Sequence, residues 1–255
     1  MKYPEKPGRK SPLQTFLQGQ LPSVCVTEAL QPFNTLIDVR TSEEYHQGAI
    51  PRSLNHPLFD KLERSLIGSL YRQVGKDAAI QRGTSVLAPQ LEHFLGSLRP
   101  FQSKLLTIYC ARGGMRSKSL TRFLKSEGFR VQQLEGGYKA YRRHVLEFLK
   151  GYRPSLIVLH GRTGVGKTLL IRSLPDSLDL EDLAQHRSSI FGAVHLQPRT
   201  QKNFEALFHS QISDKPKKQL IFVEGESRKV GRVFIPTAFA EAMKKGKKVL
   251  LKASM

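Results

Sequence analysis

The octapeptide Gly161-Arg-Thr-Gly-Val-Gly-Lys-Thr168 constrains this chain more than any other stretch. It follows the apolar run Ser155-Leu-Ile-Val-Leu-His160 and precedes a helical pattern reaching about Leu174. A buried strand that runs into a glycine-rich turn and then a helix wraps backbone N–H groups around a phosphate. Such turns sit at the carboxyl ends of parallel strands. Gly161, Gly164 and Gly166 let the backbone close, Lys167 reaches a terminal phosphate, and the Thr168 hydroxyl suits Mg²⁺. The runs Gln219-Leu-Ile-Phe-Val223 and Lys248-Val-Leu-Leu251 add two more strands, with helices expected over about 200–212 and 236–245. Glu224, directly after its run, stands where a carboxylate would orient a metal or a water, or else is a solvated strand end. Glu226, Ser227, Arg228 and Lys229 fall at the same sheet end.

A second loop of the same architecture lies upstream. The apolar run Leu105-Leu-Thr-Ile-Tyr109 leads into Cys110-Ala-Arg-Gly-Gly-Met-Arg116-Ser117, and a helix is expected from Ser117 to Lys125. A cysteine at a strand-to-helix turn meets backbone N–H groups and a helix dipole that favour the thiolate. Arg112 and Arg116 in the same loop point to an oxyanion as its target. A purely structural thiol does not need a glycine-rich loop with two charges. Asp38 and Arg40, flanking the end of the run Thr35-Leu-Ile-Asp-Val39, are expected to form a buried ion pair that anchors this region, with Ser42 capping a helix.

Charge adds a partner class. The formal net charge is +20, divided as +11 over residues 1–150 and +9 over 151–255, so the excess is not a detachable tail. A polyanion is the expected partner, nucleic acid first. The remaining cysteine, Cys25, reads as a small buried residue; the two cysteines form no zinc-ligand spacing, and no metal ligand set is expected. No apolar run approaches the ~20 residues that span a bilayer. The start Met1-Lys-Tyr-Pro-Glu-Lys-Pro-Gly-Arg-Lys10 has no apolar segment behind it, so no membrane association and a cytoplasmic location are expected.

These elements imply an α/β chain with a parallel sheet in each half. Residues 1–20, with prolines at 4, 7 and 12, are expected to be loosely ordered. One domain is expected over 21–150, with a mostly helical stretch at 56–104, a strand at Phe129–Leu134 and a helix from Tyr138 to Lys150. Gly151-Tyr-Arg-Pro154 marks the boundary, and the phosphate-loop domain occupies 151–255.

The sequence Ile37-Asp-Val-Arg40, Glu43-Glu44, Gly48-Ala-Ile-Pro51, the Cys110 loop and Leu134-Glu-Gly-Gly-Tyr138 together resemble a rhodanese domain from end to end. A rhodanese domain followed by a P-loop NTPase-like domain, with Cys-x-Arg-Gly-Gly-Met-Arg-Ser and Val223-Glu-Gly-Glu-Ser227, resembles the tRNA 2-selenouridine synthases over nearly the whole chain. The resemblance implies replacement of sulfur by selenium at C2 of wobble 2-thiouridine in the tRNA anticodon, through an S-geranylated uridine. It implies selenophosphate and geranyl diphosphate as co-substrates, no tightly bound cofactor, and Cys110 as the residue carrying selenium as an S-selanyl group. On this resemblance the P-loop ligand is either a nucleotide or the diphosphate of geranyl diphosphate, and the second is the expectation. That family has a substantial C-terminal extension, and three strong strands are few for a P-loop sheet, so the chain reads as C-terminally truncated.

Other readings stay open on the residues alone. Cysteine, five residues, then arginine and serine is also the pattern of cysteine phosphatases. A persulfide sulfurtransferase for tRNA thiolation fits the rhodanese half. A non-catalytic RNA-binding remnant fits the charge.

Overall fold

The computed structural model describes residues 21–162, 164–187, 194–215, 219–225 and 227–252. The expectation for residues 1–20, and Glu226, lie outside the described residues. The chain divides into two compact units, one through Tyr141 and one from Arg142.

In the first unit, β1 (Ser23–Val24) leads to a short helix α1 (Val26–Ala29), then β2 (Asn34–Asp38), α2 (Ser42–Gln47) and β3 (Leu54–Asn55). A helical insertion follows, as the weak alternation over 56–104 suggested: α3 (Lys61–Gln73), α4 (Lys76–Leu87) and α5 (Leu91–Leu98). Then come β4 (Leu105–Tyr109), α6 (Met115–Ser126), β5 (Val131–Leu134) and α7 (Gly137–Gly151), a helix that starts in this unit and continues into the second. Among the described residues the strands form a five-stranded sheet in the order β1-β5-β4-β2-β3, every pair parallel. Central β4 is flanked on both sides, so it reads as an unbroken apolar run rather than an alternating one. Its Leu106, Ile108 and Tyr109 are fully buried; Leu106 and Ile108 pack with Ile37, Leu98, Leu120 and Leu124. The chain leaves β4 at the carboxyl edge of the sheet, and Cys110 is its first residue beyond the strand.

Two expectations for this unit are corrected. Cys25 is exposed, not buried: it caps α1, with its Sγ 3.1 Å from Thr27 Oγ1 and 3.2 Å from Glu28 Oε2. The cap of α2 is Thr41, not Ser42. Thr41 Oγ1 accepts from the Glu44 N–H while Glu44 reaches back to the Thr41 N–H, a reciprocal capping box that Ser42 is one position too late to make.

In the second unit β6 (Ser155–His160) precedes the glycine-rich turn and α8 (Lys167–Ser173). Then follow β7 (Ser177–Leu178), α9 (Leu180–Ala184), α10 (Gln201–Ile212), β8 (Leu220–Glu224), the antiparallel pair β9 (Lys229–Val230) and β10 (Val233–Phe234), α11 (Thr237–Lys245) and β11 (Lys247–Leu250). Among the described residues the main sheet has four parallel strands, β11-β6-β8-β7, where the sequence showed three. The two-residue β7 and the β9–β10 pair went unread because strands that short carry no periodicity.

Candidate active site

The Cys110 loop is held from three directions. From below, β4 fixes Cys110 itself, which is 2% exposed and part of the apolar core. From α7, the Tyr138 and Lys139 N–H groups donate to the carbonyls of Cys110 and Ala111, both at 2.9 Å. The first residue of α7 must be glycine to let this happen. Gly137 has φ +57°, and a Cβ there would lie 2.2 Å from the Cys110 carbonyl oxygen. From β5, Gln133 reaches the loop: its Nε2 donates to the Gly113 carbonyl at 2.9 Å and to Ser117 Oγ at 2.7 Å.

Around the sulfur, Sγ is 3.2 Å from Ser117 Oγ at the start of α6. Burial alone would push the thiol up. The Ser117 hydroxyl, the Arg116 charge and the backbone N–H groups of Ser117 and Arg112 outweigh it, and the net shift is downward from the ordinary thiol value. The site therefore eases ionisation of a buried thiol, the direction a nucleophile needs.

The two loop arginines part company. Arg112 is exposed. Arg116 is partly buried and salt-bridged to Glu44 of α2 at 3.1 Å, with Arg64 of α3 at 4.0 Å from the same carboxylate. Burial raises the Glu44 carboxyl, but Arg116, the Thr41 N–H and Arg64 overcome it and hold it below the usual range. The Asp38–Arg40 pair is as expected. Arg40 Nη2 is 2.6 Å from Asp38 Oδ2 and 2.7 Å from the Gly48 carbonyl, and its guanidinium lies 4.0 Å from the centre of the Tyr138 ring. It ties the end of β2 to the Gly48 turn and to the first turn of α7. Ser117, Gln133 and Glu44 are the loop's partners that charge and motif reading gave no role. Gln133 had one signal, a polar residue in an otherwise buried short strand.

The second site is the turn after β6. Gly164 and Gly166 adopt φ +84° and +93°, which the close N–H cradle requires. Lys167 Nζ donates to the carbonyls of Gly161 at 3.0 Å and Arg162 at 3.2 Å, folding back over the loop. Thr168 is next on α8, close enough to Glu224 to favour its ionised form. Glu224 is the last residue of β8 rather than a residue after it, and at 4% exposure it is not a solvated strand end. Burial pushes its carboxyl up; Thr168 and Lys167 act the other way, while nearby Glu181 and Asp179 raise it further. Its Oε1 is buried without a hydrogen-bond partner. Among the described residues no group of three or more His, Cys, Asp or Glu side chains is placed to hold a metal. Thr168 and Glu224 thus fit a Mg²⁺ only of the kind that takes most of its ligands from phosphate and water.

Comparison with known proteins gives a result for each half. Residues 26–144 match the rhodanese-like domain model, and residues 154–255 match the model of the tRNA 2-selenouridine synthase AAA domain. The first unit is thus a rhodanese-like domain and the second a P-loop-like α/β domain. The tRNA 2-selenouridine synthase of Shewanella piezotolerans is 38% identical over 228 residues, covering 86% of this chain and 62% of that protein. The proteins of that name from Shewanella woodyi and Hydrogenovibrio crunogenus are 35% and 37% identical over 88% and 86% of the chain, covering 62% and 64% of theirs. The chain spans about three-fifths of the length of these relatives. No helix among the described residues is long and apolar enough to cross a membrane.

Proposed function

Since over the span it covers this chain belongs to the tRNA 2-selenouridine synthase family, we propose that it takes part in replacing sulfur by selenium at C2 of the wobble 2-thiouridine of tRNA. The observation that carries this reading is the Cys110 loop: a thiol shifted toward its ionised form, between two arginines, in a rhodanese-like domain joined to the AAA domain of that family. The net charge of +20, spread over both halves, supports tRNA as the partner.

In this reading selenophosphate is the anion of the Cys110 loop, held by Arg112, the loop N–H groups and Arg116. Cys110 carries selenium as an S-selanyl group. Thiolate attack on selenium breaks the Se–P bond and leaves its electron pair on phosphorus, so phosphite is the co-product of that step. The burial of Cys110, 2% exposed, favours a second route. Selenium remains selenide, adds at C2 of the S-geranylated uridine and expels geranylthiolate, and water then cleaves the P–Se bond to give phosphate. In that route the loop only binds and orients the donor.

The P-loop holds the diphosphate of geranyl diphosphate, with Lys167 and the Gly161–Gly166 backbone on the phosphates. Mg²⁺, where present, would be held by Thr168 and screened by Glu224, lowering the charge on the departing diphosphate.

Intact mass after incubation with selenophosphate, beside Cys110→Ala, tests the proposal. A selenium adduct that needs Cys110, with phosphite released, is the carrier route. Phosphate release with no adduct, in the presence of geranylated tRNA, is direct transfer. A protein that neither binds nor consumes selenophosphate overturns the selenium reading and leaves sulfur transfer or phosphatase chemistry.

A further inference from the structure

We propose that Gln133 is a positioning residue for Cys110: clamped between Gly113 and Ser117, its amide sets the Ser117 hydroxyl to donate to the cysteine sulfur and so holds the thiolate form. The inference deepens the reading of Cys110 as the working residue of its loop, and rests on it.

Gln133 lies on β5, between β1 and β4 in the sheet, and is 4% exposed. A buried amide there must find partners or cost the desolvation of each unmet group. Its Nε2 faces the Gly113 carbonyl at 2.9 Å. A carbonyl only accepts, so this contact fixes which end of the amide is nitrogen. The second amide hydrogen goes to Ser117 Oγ at 2.7 Å. Both hydrogens of Nε2 are then committed.

Ser117 Oγ must accept from Gln133, which leaves its one proton with two takers. These are the Gly114 carbonyl at 3.3 Å and Cys110 Sγ at 3.2 Å. With a neutral thiol, the S–H donates to Oγ and the hydroxyl turns to Gly114. When the thiol loses its proton, the hydroxyl turns to the sulfur and the bond becomes charge-assisted. A donor already bound to Oγ polarises the hydroxyl and strengthens this second state. Gln133 also ties down the Gly113 carbonyl, so the loop cannot turn that oxygen toward the anion.

The other groups about the sulfur do not duplicate this. The charge acting on it is Arg116, paired with Glu44 of α2. The N–H groups of Arg112 and Ser117 belong to the loop itself. From α7 the Tyr138 N–H is spent on the Cys110 carbonyl. At the end of β2, Asp38 and Arg40 are closed on each other. Gln133 is the uncharged contribution from the sheet.

The test is a titration of the full chain in a Cys25→Ser background, following thiolate absorbance in the ultraviolet. Gln133→Met, of similar length and without donors, is expected to raise the Cys110 midpoint by several tenths of a pH unit, because it weakens the Ser117 bond to the sulfur without removing it. Ser117→Ala is expected to raise it at least as much. Adding Gln133→Met to Ser117→Ala is expected to change nothing further, because Gln133 acts through Ser117. Where Gln133→Met does not fold, Gln133→Asn carries the test, since it keeps the amide and withdraws it by one methylene. An unchanged midpoint in a folded Gln133 variant, or a shift that adds in full to that of Ser117→Ala, overturns the proposal. The titration needs neither selenophosphate nor tRNA, so its outcome is separate from whether Cys110 carries selenium.

Discussion

The Arg116 guanidinium is held 3.1 Å from the Glu44 carboxylate, a residue 72 positions earlier in the chain, so the positive end of the Cys110 loop is partly neutralised by α2. Glu44 also closes the capping box of its own helix. One carboxylate therefore sets both a helix start and the charge seen by the sulfur.

Glu44→Gln separates these tasks. Glutamine can still serve the capping box, so the folding cost stays below about 1 kcal/mol. Arg116 loses its counter-charge, and the Cys110 thiolate midpoint is expected to fall by several tenths of a pH unit. Inorganic phosphate is expected to protect Cys110 from alkylation at several-fold lower concentration in low salt, with the gain fading as salt rises. An unmoved midpoint sinks the account.

Arg40→Met leaves Asp38 buried at 0% exposure with its charge unmet, and frees the Gly48 carbonyl. Breaking a buried pair from one side costs about 3–5 kcal/mol. Thermal or urea unfolding of the variant is expected to show a loss of that order. The double change Asp38→Asn, Arg40→Met is expected to recover part of it, and a double variant no more stable than the single one would count against a paired origin.

His209 on α10 is 3% exposed, and its ring packs 4.8 Å from Phe148 and 5.3 Å from His144, centre to centre. Burial first, and His144 second, push it down from 6.5 to about 4. The neutral ring is thus the folded form, and the unfolded chain takes up a proton more readily. Stability from this residue is complete above about pH 6.5 and drains away as pH falls toward 4, by about 3 kcal/mol in all. His209→Phe is expected to flatten unfolding midpoints between pH 4 and 6.5. The same slope in wild type and variant would refute the assignment.

Much of the candidate site was visible in the chain, and what was hidden has a physical reason. β4, β6 and β8 sit between neighbours on both sides and show as apolar runs, so both loops could be placed from sequence. The Asp38–Arg40 pair followed from opposite charges at a strand end. The exposure of Cys25 was not foreseen, because a thiol packs or caps equally well and only the fold decides. Thr41 and Ser42 are both good caps by type; the glutamate three residues after Thr41 is the signal that separates them. Gln133 could not be assigned, since which face of a four-residue strand meets the Cys110 loop is settled by the sheet and not by the strand.

Lys167→Ala removes the side chain that lies over the carbonyls of Gly161 and Arg162. Titration calorimetry with inorganic pyrophosphate is expected to show at least a tenfold loss of affinity, as expected for a hydrogen bond to a charged group. Unchanged affinity would remove the P-loop from the diphosphate-binding proposal.

The same lysine sets an entry threshold for whatever the P-loop receives. Its ammonium already has two carbonyl partners, and an incoming group must outcompete both before the lysine swings across. A singly charged ester offers roughly an even exchange and gains little. A diphosphate, with several formal charges gathered at one end, gains by the trade. The loop thus acts as a filter on charge density, and the rest of the ligand's shape is left for other parts of the domain to judge.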